Sequence, residues 1–355
     1  MPTEPVGVVP MPPPALLELS EVGKSYPVGH NLFGPKPQLQ ALAPVSLSVG
    51  RGEILAVVGE SGCGKSTLGR IMAAVLAPTT GTVALDGVVL GTGADTKGAR
   101  RQVQLIHQDP YSALNPRKTV QSILTTPLVA LQHETPAGAR RRAAELLELV
   151  GLSPVGAVLP KYPYQLSGGQ RQRVVIARAL TVNPKVLVAD EAVSMIDVSL
   201  RQSILATLAA LRDRLGMAVV FITHDLAQAH YFAAGHRMMV MYAGHVMEYG
   251  ATADLIREPH HPYTAILRAS VLDPDPEAAE PGQLDSGVVD FPDLTAPQQG
   301  CIFAARCPMA QELCRTAIPP LRLEATGRQV ACHYSGDVVA AELARHADVE
   351  MLQPS

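Results

Sequence analysis

Short apolar runs recur along the chain at the spacing of an α/β protein. ILAVV (54–58), VLVA (186–189) and MAVVFI (217–222) are uninterrupted and bounded by charged or turn-forming residues. Unbroken runs of that length predict strands buried on both faces, as in a parallel sheet. Nearer the start, LLELSEV alternates and passes into KSYP, with VSLSVG following, a pattern of half-buried strands. From about Gln121 to Thr181 the pattern becomes mostly helical, with AGARRRAAELLELVGL (137–152) as its clearest amphipathic segment. A helical insertion inside an α/β core accounts for the change.

Composition separates the ends from this core. Residues 1–14 are Pro-rich and read as a disordered tail, and VGHNLFGPKPQLQ (28–40) reads as a loop. We place the α/β domain at 15–270, with its helical subdomain at about 110–182. A Pro/Asp-rich linker (271–299), a small cysteine-rich appendage (300–335) and a tail (336–355) follow, the tail including a short helix at Asp337–Arg345. No apolar run approaches the roughly 18–20 residues of a membrane span, and the N-terminus lacks the pattern of an export signal. A cytosolic protein is expected, touching membranes only through partners. The net charge of −3 argues against nucleic acid as a partner. The arginine pairs and triplets at Arg100–Arg101 and Arg140–Arg142 read as solvated helix surface.

GESGCGKST (59–67) matches G-x-x-x-x-G-K-[S/T] and directly follows the apolar strand ILAVV, with a helix predicted from about Lys65. This strand–loop–helix context is what a phosphate-binding loop requires. Gly62 and Gly64 allow the backbone N–H groups to form an anion nest. Lys65 can reach terminal phosphates, and Ser66 offers a hydroxyl to Mg²⁺. Gly59, Ser61, Cys63 and Thr67 complete the candidate nucleotide loop; the Cys63 side chain reads as a small filler.

A second strand, VLVAD, ends in Asp190 and Glu191, two carboxylates that are costly to bury without a cation or a positioned water. Beside a phosphate-binding loop, Asp190 can support the water shell of the metal and Glu191 can act as general base. Gln108 in IHQDP and His224 in VVFITHD also follow apolar strands and would project at the same sheet edge. Gln108 can reach Mg²⁺ and water, and His224 the γ-phosphate. A third anion-seeking stretch is LSGGQ. Ser167 is a natural N-cap and Gly168 and Gly169 open the helix, yet no lysine stands at its mouth.

In this order, GESGCGKST, Gln108, LSGGQ, VLVADE and His224 resemble an ABC-type ATPase: a P-loop NTPase core with a helical subdomain. The resemblance implies two nucleotide-binding domains paired head to tail. Ser167, Gly168, Gly169 and Gln170 of one would then close over the ATP held by the other, with Asp197 nearby. Tyr26 looks like the aromatic on which adenine stacks. A finer resemblance, to the ATP-binding subunits of bacterial oligopeptide and dipeptide importers, rests on HQDPYSALNPRKTV, HPYTAIL (261–267), DPDP (273–276) and GCIFAARCP…C…ACHY. ESGCGKST and the 28–40 insertion look more like the F subunit of the usual unlike pair. This implies a paralogous D-type ATPase partner, two membrane permeases, an extracytoplasmic binding protein that helps select the solute, and attachment at the cytoplasmic face of the membrane. The chain departs from the family in having Ala192 for proline and Met195–Ile196 for Ala-Leu. Losing the proline is expected to loosen the base. His107 replaces a common aromatic, for which the sequence offers no account.

Cys301, Cys307, Cys314 and Cys332 cluster in one segment. In a cytosolic chain metal binding is favoured over disulfides. The paired spacing typical of structural zinc is absent, and four thiolates can hold either zinc or an iron–sulfur cluster, or stay unliganded. The resemblance implies a [4Fe–4S] cluster. The competing function is a soluble ABC ATPase in iron–sulfur assembly or in nucleic-acid or ribosome work.

Overall fold

The computed structural model describes residues 15–28, 36–91, 96–272, 292–296 and 298–336. The chain opens with two long antiparallel strands, β1 (Ala15–Pro27) and β2 (Gln38–Gly50), then the buried strand β3 (Ile54–Val58) and helix α1 (Lys65–Met72). A hairpin of β4 (Thr80–Leu85) and β5 (Val88–Val89) precedes α2 (Thr96–Arg101) and β6 (Val103–Ile106). The helical layer then runs through α3 (Pro110–Ala113), α4 (Val120–Gln132), α5 (Pro136–Leu149), α6 (Val155–Val158) and α7 (Gly168–Leu180). Strand and helix alternate again in β7 (Val186–Asp190), α8 (Val198–Leu215), β8 (Ala218–Thr223), α9 (Leu226–Phe232) and β9 (Arg237–Tyr242). After β10 (His245–Ala251) come α10 (Thr252–Arg257), α11 (Pro262–Leu272), α12 (Glu312–Thr316), β11 (Arg322–Leu323) and β12 (Gln329–Val330).

The strands form two sheets. One is antiparallel, in the order β2-β1-β4-β5; the other runs β11-β12-β10-β9-β3-β8-β7-β6. The pairs β9–β3, β3–β8, β8–β7 and β7–β6 are parallel. Strands β3, β7 and β8 are buried at every position, which is why their sequences are unbroken apolar runs. The two-residue pleat of β3 divides the core. Ile54, Ala56 and Val58 face the cluster built with the helical layer; Leu55 and Val57 face the one built with α1 and the antiparallel sheet. Helix α5 occupies the amphipathic segment foreseen at 137–152, with Thr135 accepting at its N-cap and Pro136 in its first turn.

Two expectations change. The loop expected at 28–40 is strand by its end, because Gln38, Leu39 and Gln40 pair with Pro27, Tyr26 and Ser25. Backbone pairing extends the hairpin there without needing an apolar signature. The cysteine-rich segment is not set apart as an appendage: Val330 pairs with Glu248, so β12 extends the core sheet, and Phe303 sits in the main core. Glu248 and Arg328, both buried, fix this junction. The Glu248 carboxylate takes hydrogen bonds from the N–H groups of His260 (2.9 Å) and His261 (3.1 Å) and faces the Arg328 guanidinium at 3.3 Å. The expected tail at 1–14, residues 29–35 of the insertion, DPDP and the helix at Asp337–Arg345 lie outside the described residues.

Candidate functional site

The phosphate-binding loop lies between β3 and α1. Gly62 and Gly64 take φ of 81° and 99°, the left-handed region in which a side chain is strained. At Gly64 a Cβ would also stand 2.6 Å from the Ala41 carbonyl oxygen, so the loop is pressed against β2. The Lys65 ammonium is buried and donates to the carbonyls of Gly59 and Glu60, each at 2.7 Å. Its charge is thereby held over the loop's concavity. The Cys63 thiol is buried, and burial pushes its pKa up against the pull of Lys65; this is a packed, unreactive thiol, as the filler reading expects.

At the carboxyl ends of β6, β7 and β8 the polar residues converge. Ser66 Oγ donates to Asp190 Oδ1 at 2.9 Å. Gln108 Nε2 donates to Glu191 Oε2 at 2.8 Å, and His224 Nδ1 lies 3.3 Å from Glu191 Oε1. Burial raises the Asp190 pKa; the Ser66 hydrogen bond, Arg70 and His107 oppose that rise, and Glu191 adds to it. Hard oxygen donors on Ser66 and Asp190 fit a cation such as Mg²⁺.

Glu191 sits at φ 48°, unusual for a residue with a side chain. Its peptide groups are tied on both sides. Its N–H donates to the Ile222 carbonyl at 2.9 Å, and its carbonyl accepts from Ser194 N at 3.0 Å and Ser194 Oγ at 2.9 Å. Ser194 thus restrains Glu191, two residues from Ala192, a restraint not foreseen from sequence. Ala192 and Ile196 are buried, while Met195 is 58% exposed.

The LSGGQ stretch forms its helix start as expected. Ser167 Oγ accepts from Gln170 N, and the Gln170 side chain accepts from Ser167 N. The pair forms a reciprocal capping box, whose sequence signal is Gln170 three residues after Ser167. Behind it, buried Arg171 donates to the carbonyls of Pro163 and Leu166 and stacks on Tyr111 at 3.7 Å. Helix α7 packs on α3, α4 and α5, whereas the phosphate loop packs on β2 and on the β9–β10 turn. Asp197 precedes α8 without capping it through its side chain. Tyr26, 36% exposed, pairs with Leu39, two residues from the Ala41 that abuts Gly64. It lies on the stretch of hairpin next to the loop.

The four cysteines line one cavity together with His261, Phe303 and Tyr334. Burial pushes the Cys307 and Cys332 thiols up to about 11, and raises Cys301 as well. Nearby His261 is held neutral by burial, with its pKa driven down to about 3. Among the described residues no group of three or more His, Cys, Asp or Glu side chains is gathered around a single metal-ion position. The thiols share a cavity without closing on one ion.

Comparison with known proteins follows the same division. A family model described as ABC transporter matches residues 42–194, and one described as oligopeptide/dipeptide transporter, C-terminal region, matches residues 247–314. A "probable peptide ABC transporter ATP-binding protein" of Sinorhizobium fredii is 40% identical over 343 residues, 96% of each chain. A Brucella abortus protein named for peptide import and ATP binding is 41% identical over 321 residues, 90% of this chain and 93% of its own. Among solved structures, a dimeric ATP-binding cassette in a post-hydrolysis state with ADP and Pi aligns at TM-score 0.58 and 30% identity. The alignment covers 66% of this chain and 98% of that one.

Glu191 is the one carboxylate held by both Gln108 and His224. Glu191→Gln should lower the ATP hydrolysis rate by about 10²–10⁴-fold while ATP still binds. Steady-state turnover and equilibrium binding check this, and normal turnover would remove Glu191 from the role of base.

Proposed function

This chain belongs to the ATP-binding proteins of peptide-type ABC transporters, and from that premise we propose that it powers peptide import by closing, with a second ATPase subunit, over ATP. The observation that carries the reading is the placement of two half-sites. One is the phosphate loop with Asp190, Glu191, Gln108 and His224; the other is the capped start of α7, which has glycines and a helix dipole but no lysine. The start of α7 has no lysine of its own and is adequate only as half a site, so a second ATPase subunit would complete each. Exposed Met195 beside Glu191 is an apolar surface suited to that contact.

In the closed pair the loop N–H groups and Lys65 bind the phosphates, and Tyr26 stacks on adenine. Ser66 and Gln108 would hold Mg²⁺, with Asp190 supporting its water shell, and the ion would supply charge for the phosphates. Glu191 takes the proton of the attacking water, Gln108 and His224 fix its carboxylate, and His224 is exposed enough to swing to the γ-phosphate. Ser167, Gly168, Gly169 and Gln170 of this chain, with Asp197, seal the ATP held by the partner, and the partner's equivalent stretch seals the ATP held here. Release of phosphate reopens the pair.

Among the described residues no helix is long and apolar enough to cross a membrane. We therefore place the chain peripherally, at the cytoplasmic face, beneath two permeases supplied by an extracytoplasmic binding protein. The groove lined by Tyr111, Leu114, Arg117, Lys118, Ile123 and Arg178, close to Gln108, is the surface assigned to a permease. The ATPase partner is a paralogous D-type subunit. The relatives' names favour this reading over iron–sulfur assembly or nucleic-acid work.

A second reading concerns the cysteines. Four thiols line one cavity, a donor set of the kind a [4Fe–4S] cluster uses, and that is the group we propose there. Cys301, Cys307, Cys314 and Cys332 are its ligands, and their deprotonation on binding would overcome the raised thiol pKa values.

Extraction of native membranes in detergent should recover this chain with two polytopic proteins and a second ATPase. Recovery with soluble scaffold proteins alone would contradict the transport reading. The same preparation should contain iron and acid-labile sulfide, both lost in Cys307→Ser; zinc in their place would contradict the cluster.

A further inference from the structure

The cysteine segment touches the phosphate-binding loop directly. Arg306, which precedes Cys307, sends its guanidinium Nη1 to Glu60 Oε2 at 2.8 Å and to Tyr242 Oη at 3.4 Å. Glu60 is the second residue of GESGCGKST, so this ion pair joins positions 246 apart in sequence. The backbone N–H of Glu60 donates to Tyr263 Oη at 3.1 Å, and its carbonyl accepts from Lys65 Nζ at 2.7 Å. Glu60 is therefore gripped at its carboxylate, its N–H and its carbonyl, and the last grip also sets where the Lys65 charge stands.

Both outer grips come from residues that adjoin the lining of the cysteine cavity in sequence. His261 and Pro262 line that cavity and Tyr263 follows them. Phe303, another lining residue, packs against Tyr242, Tyr263 and His261 with ring centroids 5.2, 5.3 and 5.8 Å apart. The Arg306 N–H also bonds the Phe303 carbonyl at 3.0 Å. A shift of residues 301–307 must then move Arg306, and with it the carboxylate of Glu60.

We infer that Arg306 and Tyr263 are positioning residues for ATP: they hold Glu60 so that Lys65 and the loop are preset for phosphate, and thereby couple ATP affinity to the order of the cysteine segment. This rests on the reading of Gly59–Thr67 as the ATP site. The coupling is reciprocal by linkage, so bound ATP must in turn restrain the cysteine segment. The pair is about one-third exposed on each side, which fits a change of several-fold in affinity and not of thousands. Its action is on ground-state binding, so the chemical step is spared.

The test uses the full chain and compares Arg306→Gln, Glu60→Gln, their double variant, Arg306→Lys and Tyr263→Phe. Calorimetry should give an ATP dissociation constant raised about three- to tenfold in each Gln variant, and Arg306→Gln, which lies outside the ATP site, should keep kcat at saturating ATP within twofold of the parent. The double variant should be no weaker than the weaker single, and Arg306→Lys should recover part of the loss. ATP should slow amide hydrogen exchange across residues 301–307 in the parent and lose that effect in Arg306→Gln. Unchanged affinity with only a lowered melting temperature would overturn the inference and leave a structural brace; additive losses in the double variant would also overturn it. Should Arg306→Gln fail to fold, the isosteric Glu60→Gln and Tyr263→Phe decide by the same affinity criterion. Lys65→Ala separates the two readings: if it retains tight ATP binding, the assignment of the site fails, whereas loss of binding there with no effect at Arg306 refutes this inference alone.

Discussion

The site depends on one constraint, the register of four parallel strands. Val58 aligns with Thr223, Asp190 with Ile222, and Ile106 with Ala189. These pairings end β3, β6, β7 and β8 at a common edge, so Gln108 and His224 reach Glu191, and Ser66 after the phosphate loop reaches Asp190. Burial on both faces enforces the register, because a slip of one residue would exchange the two core faces of each strand. The antiparallel hairpin reinforces the edge from above, through the contact of Ala41 with Gly64.

Much of this was legible in the chain. ILAVV, VLVAD and AVVFIT are apolar without interruption because both faces are covered, and such runs announce themselves. Ser167 at a helix start, the GESGCGKST loop and the segment at 137–152 carry local chemistry that decides local structure. What escaped reading is non-local. Strands β11 and β12 have two residues each, too few for any period, and join the sheet through backbone pairing of β12 with β10 beside the buried Glu248 and Arg328. Glu60 occupies an unconstrained position of the loop motif, and nothing in its surroundings announces Arg306. Ser194 looked like an ordinary polar residue until the left-handed backbone of Glu191 gave its hydroxyl a purpose.

The cysteine-rich segment changes meaning once its place in the sheet is known. As an appendage on a linker it would have little influence on ATP. Built into the sheet through β12, with Phe303 in the core and a cavity whose walls include His261 and Pro262, it becomes part of the support of the loop. Buried neutral groups surround it: His261 is uncharged, and the thiols keep their protons unless a metal displaces them. Such surroundings are rigid and poorly solvated, well suited to transmit a displacement and ill suited to absorb one.

The central claim is that this chain carries two half-sites that meet only across a pair of ATPase subunits. It is tested most directly by the ATPase rate per chain over a wide dilution series, alone and with the partner subunit, alongside sedimentation in ATP. The account predicts a rate per chain that falls on dilution together with the population of pairs. A constant rate carried by a species sedimenting as a monomer would contradict it.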